Sequence, residues 1–183
     1  MRPIRTRDKA AWREVRGRNV EWLRRWEPTM PPGSFPGALS FSAMVREGRR
    51  SARAGGALPL VITYDDRLVG QVTVTGITWG SARWGQVGYW LDSRLAGRGV
   101  TPTAVALVAD HCFDVVGLHR LEIAVRPENT ASLRVAEKLG FRREGDALRY
   151  LHIDGDWRDH VLFALTAEEV GRGVLEGYLR RYP

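Results

Sequence analysis

Hydrophobic positions along the chain repeat with two periods, and the switches between them divide it into elements. Trp12, Val15, Val20, Trp22, Leu23 and Trp26 recur near helical spacing and predict a helix from Asp8 to Trp26, with Gly17 as the expected break. Trp22 is read as core. Pro3 to Thr6 reads as a short edge strand, and Pro28 to Pro36 as a loop. A second helix is predicted over Leu39 to Arg53, with Phe41, Met44 and Val45 on one face. Leu60 to Tyr64 and Leu68 to Thr75 read as strands of a hairpin turning at Asp65-Asp66-Arg67. Arg83 to Leu91 is the next strand. A glycine-spaced loop then leads into a helix from Thr101 to Val116, with Val105, Val108, Cys112 and Val115 as its buried stripe. Thr101 suits the N-cap of that helix and Pro102 its first position. Leu121 to Val125 is a strand. Asn129 caps a helix over Thr130 to Leu139, which Gly140 ends. Strands over Leu148 to Ile153 and Trp157 to Leu165 meet at Asp154-Gly155-Asp156. A last helix starts near Thr166 and carries Val170, Val174, Leu175 and Tyr178.

This order predicts a mixed α/β (α+β) fold. Antiparallel hairpins lie at both ends of one sheet, and a parallel βαβ crossover lies in the middle. No repeat, low-complexity tract or linker interrupts residues 1–183, so a single domain is expected.

Composition changes this picture little. With 44% hydrophobic and 27% charged residues the chain reads as an ordinary globular protein. No apolar run approaches the roughly 18–20 residues of a membrane span, and no apolar stretch follows the charges of Met1 to Arg5. Cys112 is the only cysteine, which excludes an internal disulfide and fits a reducing cytoplasm. No His/Cys cluster has metal-ligand spacing, so no metal is expected. The net charge is +7, and all but Lys9 and Lys138 of the 28 basic residues are arginine. Such a balance attracts phosphates, acidic peptides or RNA. The arginines are scattered, however, and no dense run interleaves with aromatics.

Candidate chemistry concentrates in Tyr89-Trp90-Leu91-Asp92-Ser93-Arg94-Leu95-Ala96-Gly97-Arg98-Gly99-Val100-Thr101. A strand feeds a glycine-spaced loop that opens a helix. Glycines let backbone approach a ligand, first-turn amides lack helical partners, and the helix dipole favours an anion there. Arg94 and Arg98 add positive charge, so a pyrophosphate fits. The loop is neither G-x-x-x-x-G-K-[ST] nor G-x-G-x-x-G, which excludes the P-loop and the dinucleotide fingerprint. The pattern present is R-x-x-G-x-G, from Arg94 to Gly99.

That pattern resembles the acetyl-CoA signature of the GNAT acetyltransferase superfamily, Q/R-x-x-G-x-G/A, in the same strand–loop–helix context. Asn129 to Phe141 is similar to the later GNAT motif, N-x-x-S ending in Lys138-Leu139-Gly140-Phe141. Tyr150 to Thr166 looks like the closing hairpin of the ribosomal-protein alanine N-acetyltransferases, the RimJ/RimL group, and is closest to the RimJ kind. Asn19 to Pro28 is similar to that group's N-x-x-x-L-x-x-W-E-P segment. Family members have a fuller first strand than Pro3 to Thr6.

The resemblance implies the GNAT fold: a mixed, mostly antiparallel sheet flanked by helices, with a splayed parallel pair between Val87–Leu91 and Leu121–Val125. It implies acetyl-CoA as cosubstrate, held by Tyr89, Trp90, Leu91, Arg94, Leu95, Ala96, Gly97, Arg98, Gly99, Val100, Thr101 and Asn129. It implies direct attack on the thioester by the α-amine of a protein N-terminus, such as that of a ribosomal protein. It also implies a cytoplasmic monomer or homodimer, with weak contact to ribosomal RNA as an open possibility.

The proton-handling groups are less determined. The tyrosine that many GNAT enzymes carry before Lys-Leu-Gly-Phe is Ala136 here. A serine acid assigned in RimL-like enzymes matches Ser132, which also suits a first-turn helix serine; the glutamate base of that scheme maps to Leu151. Glu27 is the first candidate for the catalytic base, in the loop entering the acceptor site, or equally a surface residue before Pro28. Trp26 and Asp159 are candidate acceptor contacts, and Phe35 is weighed beside Trp26. Asp159 and His160, on a late strand, are further candidates for the base and equally suit a hydrogen-bonded strand pair. A small-amine acetyltransferase and a non-catalytic CoA-binding or ribosome-associated module remain the alternatives.

Overall fold

The computed structural model describes residues 1–34 and 39–182. Phe35 and Pro36, which belong to the predicted Pro28–Pro36 loop, lie outside the described residues. Seven strands form one sheet: β1 (Arg2–Pro3), β2 (Leu58–Tyr64), β3 (Arg67–Thr78), β4 (Trp84–Leu91), β5 (Arg120–Val125), β6 (Arg142–Ile153) and β7 (Asp156–Thr166). Their order is β1-β2-β3-β4-β5-β7-β6. The helices are α1 (Lys9–Arg18), α2 (Val20–Arg24), α3 (Phe41–Arg53), α4 (Val100–His111), α5 (Thr130–Lys138) and α6 (Val174–Arg181).

All strand pairings among the described residues are antiparallel except β4 with β5, whose connection crosses over through α4. That parallel pair is short. It joins Trp84, Gly85 and Gln86 to Arg120, Leu121 and Glu122, and goes no further. The remainder of β4 stays paired to β3, and the remainder of β5 to β7. The two strands therefore part beyond Gln86 and Glu122, two residues later on β5 than the sequence suggested, because Leu121 is still paired.

The period of two sorts side chains between the faces of the sheet. Val87 and Leu91 of β4, Leu121, Ile123 and Val125 of β5, and Val161, Phe163 and Leu165 of β7 pack with α4, α5 and α6 in the larger core. Trp90 lies on the opposite face, against Trp12, Val15 and Phe41 of α1 and α3. Asp110 of α4 accepts hydrogen bonds from the Val174 and Leu175 amides at 2.6 and 3.1 Å, which ties the start of α6 to α4.

Four local expectations are corrected. The first helix breaks at Asn19, not at Gly17: the Asn19 side chain donates to the Val15 carbonyl at 2.8 Å and to Asp92 at 3.0 Å, while exposed Gly17 continues the helix. Trp22 is 47% exposed, because Leu23 takes the inward position of that short helix. Val115 is 72% exposed, since the chain widens into a π turn over Cys112–Val116 that rotates the stripe away from the core. The last helix begins at Val174, after a separate 3-10 turn at Ala167–Glu169.

Candidate active site

Beyond the parting point, backbone groups of both strands face an open gap. The Asp92 amide bonds the Val69 carbonyl at 2.8 Å. Alternation along the β3–β4 ladder then sends the Gly88 and Trp90 amides toward β3 and those of Val87, Tyr89 and Leu91 toward β5. The same alternation, set by the Ala167 amide on the His119 carbonyl at 2.9 Å, turns the main chain of Ala124 into the gap from β5.

The C-terminal end of β4 runs into the glycine loop. Gly97 and Gly99 are left-handed, at φ 78° and 76°, a conformation that favours glycine. Gly99 is the N-cap of α4, which corrects the placement of Thr101 there; Pro102 sits at the third helical position, where its lack of an N–H still costs nothing. No side chain caps this helix. Among the described residues the amides of Gly97, Gly99, Val100 and Thr101 take no hydrogen-bond partner, and neither Arg94 nor Arg98 joins an ion pair. Four unused donors, a helix dipole and two free guanidinium groups fit a pyrophosphate.

Asp92 fixes where this loop starts, a role the sequence did not announce. The carboxylate is 3% exposed. It accepts from Arg18 at 2.6 and 3.0 Å, from Asn19 at 3.0 Å and from the Arg94 amide at 3.3 Å. Asn19 returns a bond by accepting from the Ser93 amide at 3.0 Å. Burial pushes the Asp92 pKa up, but the bonds from Arg18, Asn19 and Arg94 outweigh it and hold the carboxyl below its usual range. The only signal in sequence was the pairing of an isolated Asp with a distant Arg-Asn, and spacing alone does not reveal such a pair.

On the α4 side of the gap, Asn129 caps α5 by accepting from the Ser132 amide at 3.1 Å. The Tyr89 hydroxyl donates to the Ser132 carbonyl at 3.4 Å, which links β4 to the first turn of α5 across the gap. Burial raises the Tyr89 pKa to about 12, opposed by that hydrogen bond. Ala136 is fully buried one turn beyond Ser132.

On the opposite face the side chains come from distant parts of the chain. Glu27 pairs with Arg16, although its Oε1 is buried without a hydrogen bond of good geometry. The Arg16 guanidinium lies 5.1 Å from the Trp90 ring centre and 5.4 Å from that of Trp12. Trp26 is sandwiched by Arg25 at 4.7 Å and Arg126 at 5.4 Å, and Arg126 donates to the Arg25 carbonyl at 2.8 Å. This clamp holds Trp26 against the turn that leaves β5. Asp159 is exposed and accepts from the Arg149 amide at 2.7 Å, which stabilises a bulge in β6. Across the gap, Gln86 of β4 donates to the Tyr150 hydroxyl at 3.3 Å.

The arrangement has counterparts of known kind. The acetyltransferase (GNAT) domain matches residues 1–142. The chain belongs to the GNAT acetyltransferase family. It is also 41% identical to Mycobacterium smegmatis RimJ, solved in complex with CoA-disulfide, with a TM-score of 0.91 over 98% of this chain and 87% of that one. The ribosomal-protein-S5-alanine acetyltransferase of Vibrio fischeri superposes with a TM-score of 0.80 at 29% identity, over 92% of each chain. The Escherichia coli [ribosomal protein uS5]-alanine N-acetyltransferase is 29% identical over 88% of this chain and 85% of its own length. The Bacillus subtilis probable N-acetyltransferase YjcK is 43% identical over 101 residues, a stretch covering 55% of this chain and 56% of that protein. This GNAT chain is thus an N-acetyltransferase of RimJ-like kind, with the mixed sheet and single parallel pair expected of the fold. No helix among the described residues is long and apolar enough to cross a membrane.

Proposed function

We propose that the chain transfers the acetyl group of acetyl-CoA to the α-amine of a protein N-terminus, of the ribosomal-protein alanine type. The observation that carries the proposal is the gap between β4 and β5. One face opens on four unused amides at the start of α4, and the other on a side-chain wall that includes Trp26 and Glu27. The likeness to Mycobacterium smegmatis RimJ and to the two ribosomal-protein alanine acetyltransferases supports the choice of acceptor.

Acetyl-CoA supplies a thioester, which an uncharged amine attacks without a covalent enzyme intermediate. Gly97, Gly99, Val100 and Thr101 hold the pyrophosphate through backbone N–H groups, and Arg94 and Arg98 balance its charge. The gap-facing amides of Tyr89 and Leu91 are oriented for the developing oxyanion. Ser132, beside the Tyr89 hydroxyl, protonates the departing sulfur. An α-amine has a pKa near 7.7–8, so about a tenth or more is neutral at cytoplasmic pH and a strong base is unnecessary. Glu27 draws the ammonium form toward the gap, and Trp26 lines its approach.

The test is incubation with acetyl-CoA and peptides beginning with Ala, Ser or Met, beside N-terminally blocked copies and a polyamine, with the acetyl group located by mass spectrometry. Acetyl on the free α-amine, lost on blocking, is the expected result. Acetyl found only on lysine or on the polyamine would overturn the acceptor assignment. Ser132→Ala is expected to slow transfer about a hundredfold, the lower end of the range for lost acid catalysis, with the KM for acetyl-CoA unchanged.

A further inference from the structure

His160 of β7 is 3% exposed, yet only one of its ring nitrogens has a partner. Nδ1 lies 3.0 Å from the Arg158 carbonyl. A carbonyl oxygen only accepts, so Nδ1 carries the proton and Nε2 carries the lone pair. Nε2 takes no partner among the described residues. Although the residue is buried, Nε2 itself is not shut off from solvent, so a ring nitrogen with a free lone pair stands open to a proton donor.

The surroundings of Nε2 place it beside the acceptor side of the gap. Val161 points into the core against α4, so His160, its neighbour, points to the face shared by Trp90 and Ala124. The ladder β5–β7 ends with Val125 opposite Val161, which sets His160 level with the turn that leaves β5. The β6 bulge between Ala147 and Leu151 brings Tyr150 over it, with ring centres 5.7 Å apart. The hydroxyl of that same tyrosine meets Gln86, at the last pair before β4 and β5 part. Gln86, Tyr150 and His160 thus bridge from the parting point to the end of β5, where Arg126 and Trp26 close the wall.

We propose that His160 Nε2 is the proton acceptor for the attacking amine, directly or through one water, and that Tyr150 and Gln86 position it. The inference rests on the transferase reading given above. In the step, the amine nitrogen forms a bond to the acetyl carbon and the carbon–sulfur bond breaks. The proton lost by nitrogen goes to His160, and sulfur leaves as thiolate to be protonated by Ser132. His160 then returns its proton to solvent, and Ser132 takes one back from solvent, which restores both groups. Glu27 is less suited to this task because its carboxylate is paired with Arg16.

The charges around His160 are Arg126 and Glu128 of the turn after β5 and Asp159 on its own strand, which also carries Arg158; Tyr150 covers it from β6. Burial lowers its pKa from the ordinary histidine value, with Arg126 lowering it further and the Arg158 carbonyl, Asp159 and Glu128 opposing. The imidazole is therefore uncharged, and competent as a base, throughout the neutral range. It is lost as a base only as pH falls below that depressed value.

The test is single-turnover transfer from saturating acetyl-CoA to a saturating peptide beginning with Ala, measured across pH in the full chain. His160→Asn keeps a side-chain N–H for the Arg158 carbonyl and removes Nε2. The expected result is about a hundredfold slower transfer, unchanged acetyl-CoA binding and loss of the acid limb that His160 sets. A folded His160→Asn protein with the wild-type rate and the wild-type acid limb would overturn the assignment. If the variant does not fold, NMR titration of the wild-type imidazole decides: agreement between the His160 midpoint and the acid limb supports the role, and disagreement sinks it. A wild-type protein that acetylates no peptide α-amine would instead overturn the transferase reading itself.

Discussion

The two sides of the gap between β4 and β5 are built by different means. The donor side is one continuous segment, from Asp92 to Thr101, and what it offers is backbone: two left-handed glycines and four unpartnered amides. The acceptor side is assembled from side chains of α1, β4 and β6, from the turns after α2 and β5, and from β7. Each side carries its own weak point. Backbone geometry fails when a residue cannot adopt it, whatever its charge. An assembled wall fails one side chain at a time.

On the donor side the largest effect is expected where a side chain supports the backbone. Asp92→Ala leaves Arg18 with only Glu14 at 2.9 Å and leaves the Ser93 amide as the bond by which the Asn19 side chain holds the loop. Leaving the donors of Asn19 and the Arg94 amide without this acceptor costs about 1–3 kcal/mol, and acetyl-CoA binding is expected to weaken at least tenfold as the loop start loosens. Thermal unfolding and acetyl-CoA titration measure the two. The loss also has a sign in pH. The folded Asp92 pKa lies below its unfolded value of about 3.9, so its contribution is present above that value and disappears as pH falls through the folded one. Wild type and variant should therefore converge in stability on acidification below about pH 4. A constant difference down to pH 2 would show that Asp92 acts through packing instead of charge.

Gly99→Val tests the backbone claim itself and comes next. Residue 99 sits at φ 76°, and an added Cβ would stand 3.3 Å from the Tyr178 hydroxyl. A β-branched residue held there costs about 1–3 kcal/mol, and escaping the strain turns the Val100 and Thr101 amides away from the ligand. A rise of about tenfold in the KM for acetyl-CoA is expected, with the KM for the peptide unchanged. An increase confined to the peptide would merge the two sides and break the comparison.

The same contrast explains what the sequence made legible. The donor side is local, so Arg94 to Gly99 and the helix after it stood out from residue order, as did the Asn129 cap, which bonds Ser132 three residues on. Residue order points to Gly17 for the helix break, but the cause of the break at Asn19 lies at Asp92, in a loop far along the chain, while Gly17 costs little in an exposed turn. A 3.6 period places Val115 in the buried stripe, and a π turn does not keep that period. Trp26 and Glu27 stand out by residue type beside a Pro/Gly loop, but their clamps, Arg126 and Arg16, are set by tertiary contact. Tyr150 and His160 meet only because β6 bulges between Ala147 and Leu151, which no alternation of apolar residues reports. Elements fixed by neighbours in sequence were readable; contacts fixed by neighbours across the sheet were not.

The smallest effect sharpens the comparison most. Arg98 is exposed and unpaired, so its charge reaches a bound phosphate through water as well as directly. Arg98→Ala removes that charge and leaves Gly97, Gly99 and the amides of α4 where they are. If backbone donors carry the pyrophosphate, the KM for acetyl-CoA should rise only about threefold at low ionic strength, and the difference should vanish near 0.5 M salt, where screening falls to a few ångströms. The strain at Gly99 is steric and does not respond to salt, so the Gly99→Val defect should persist there. A salt-insensitive loss at Arg98 equal to that at Gly99 would mean that the guanidinium makes a desolvated, directional bond, and that the donor side too depends on a particular side chain.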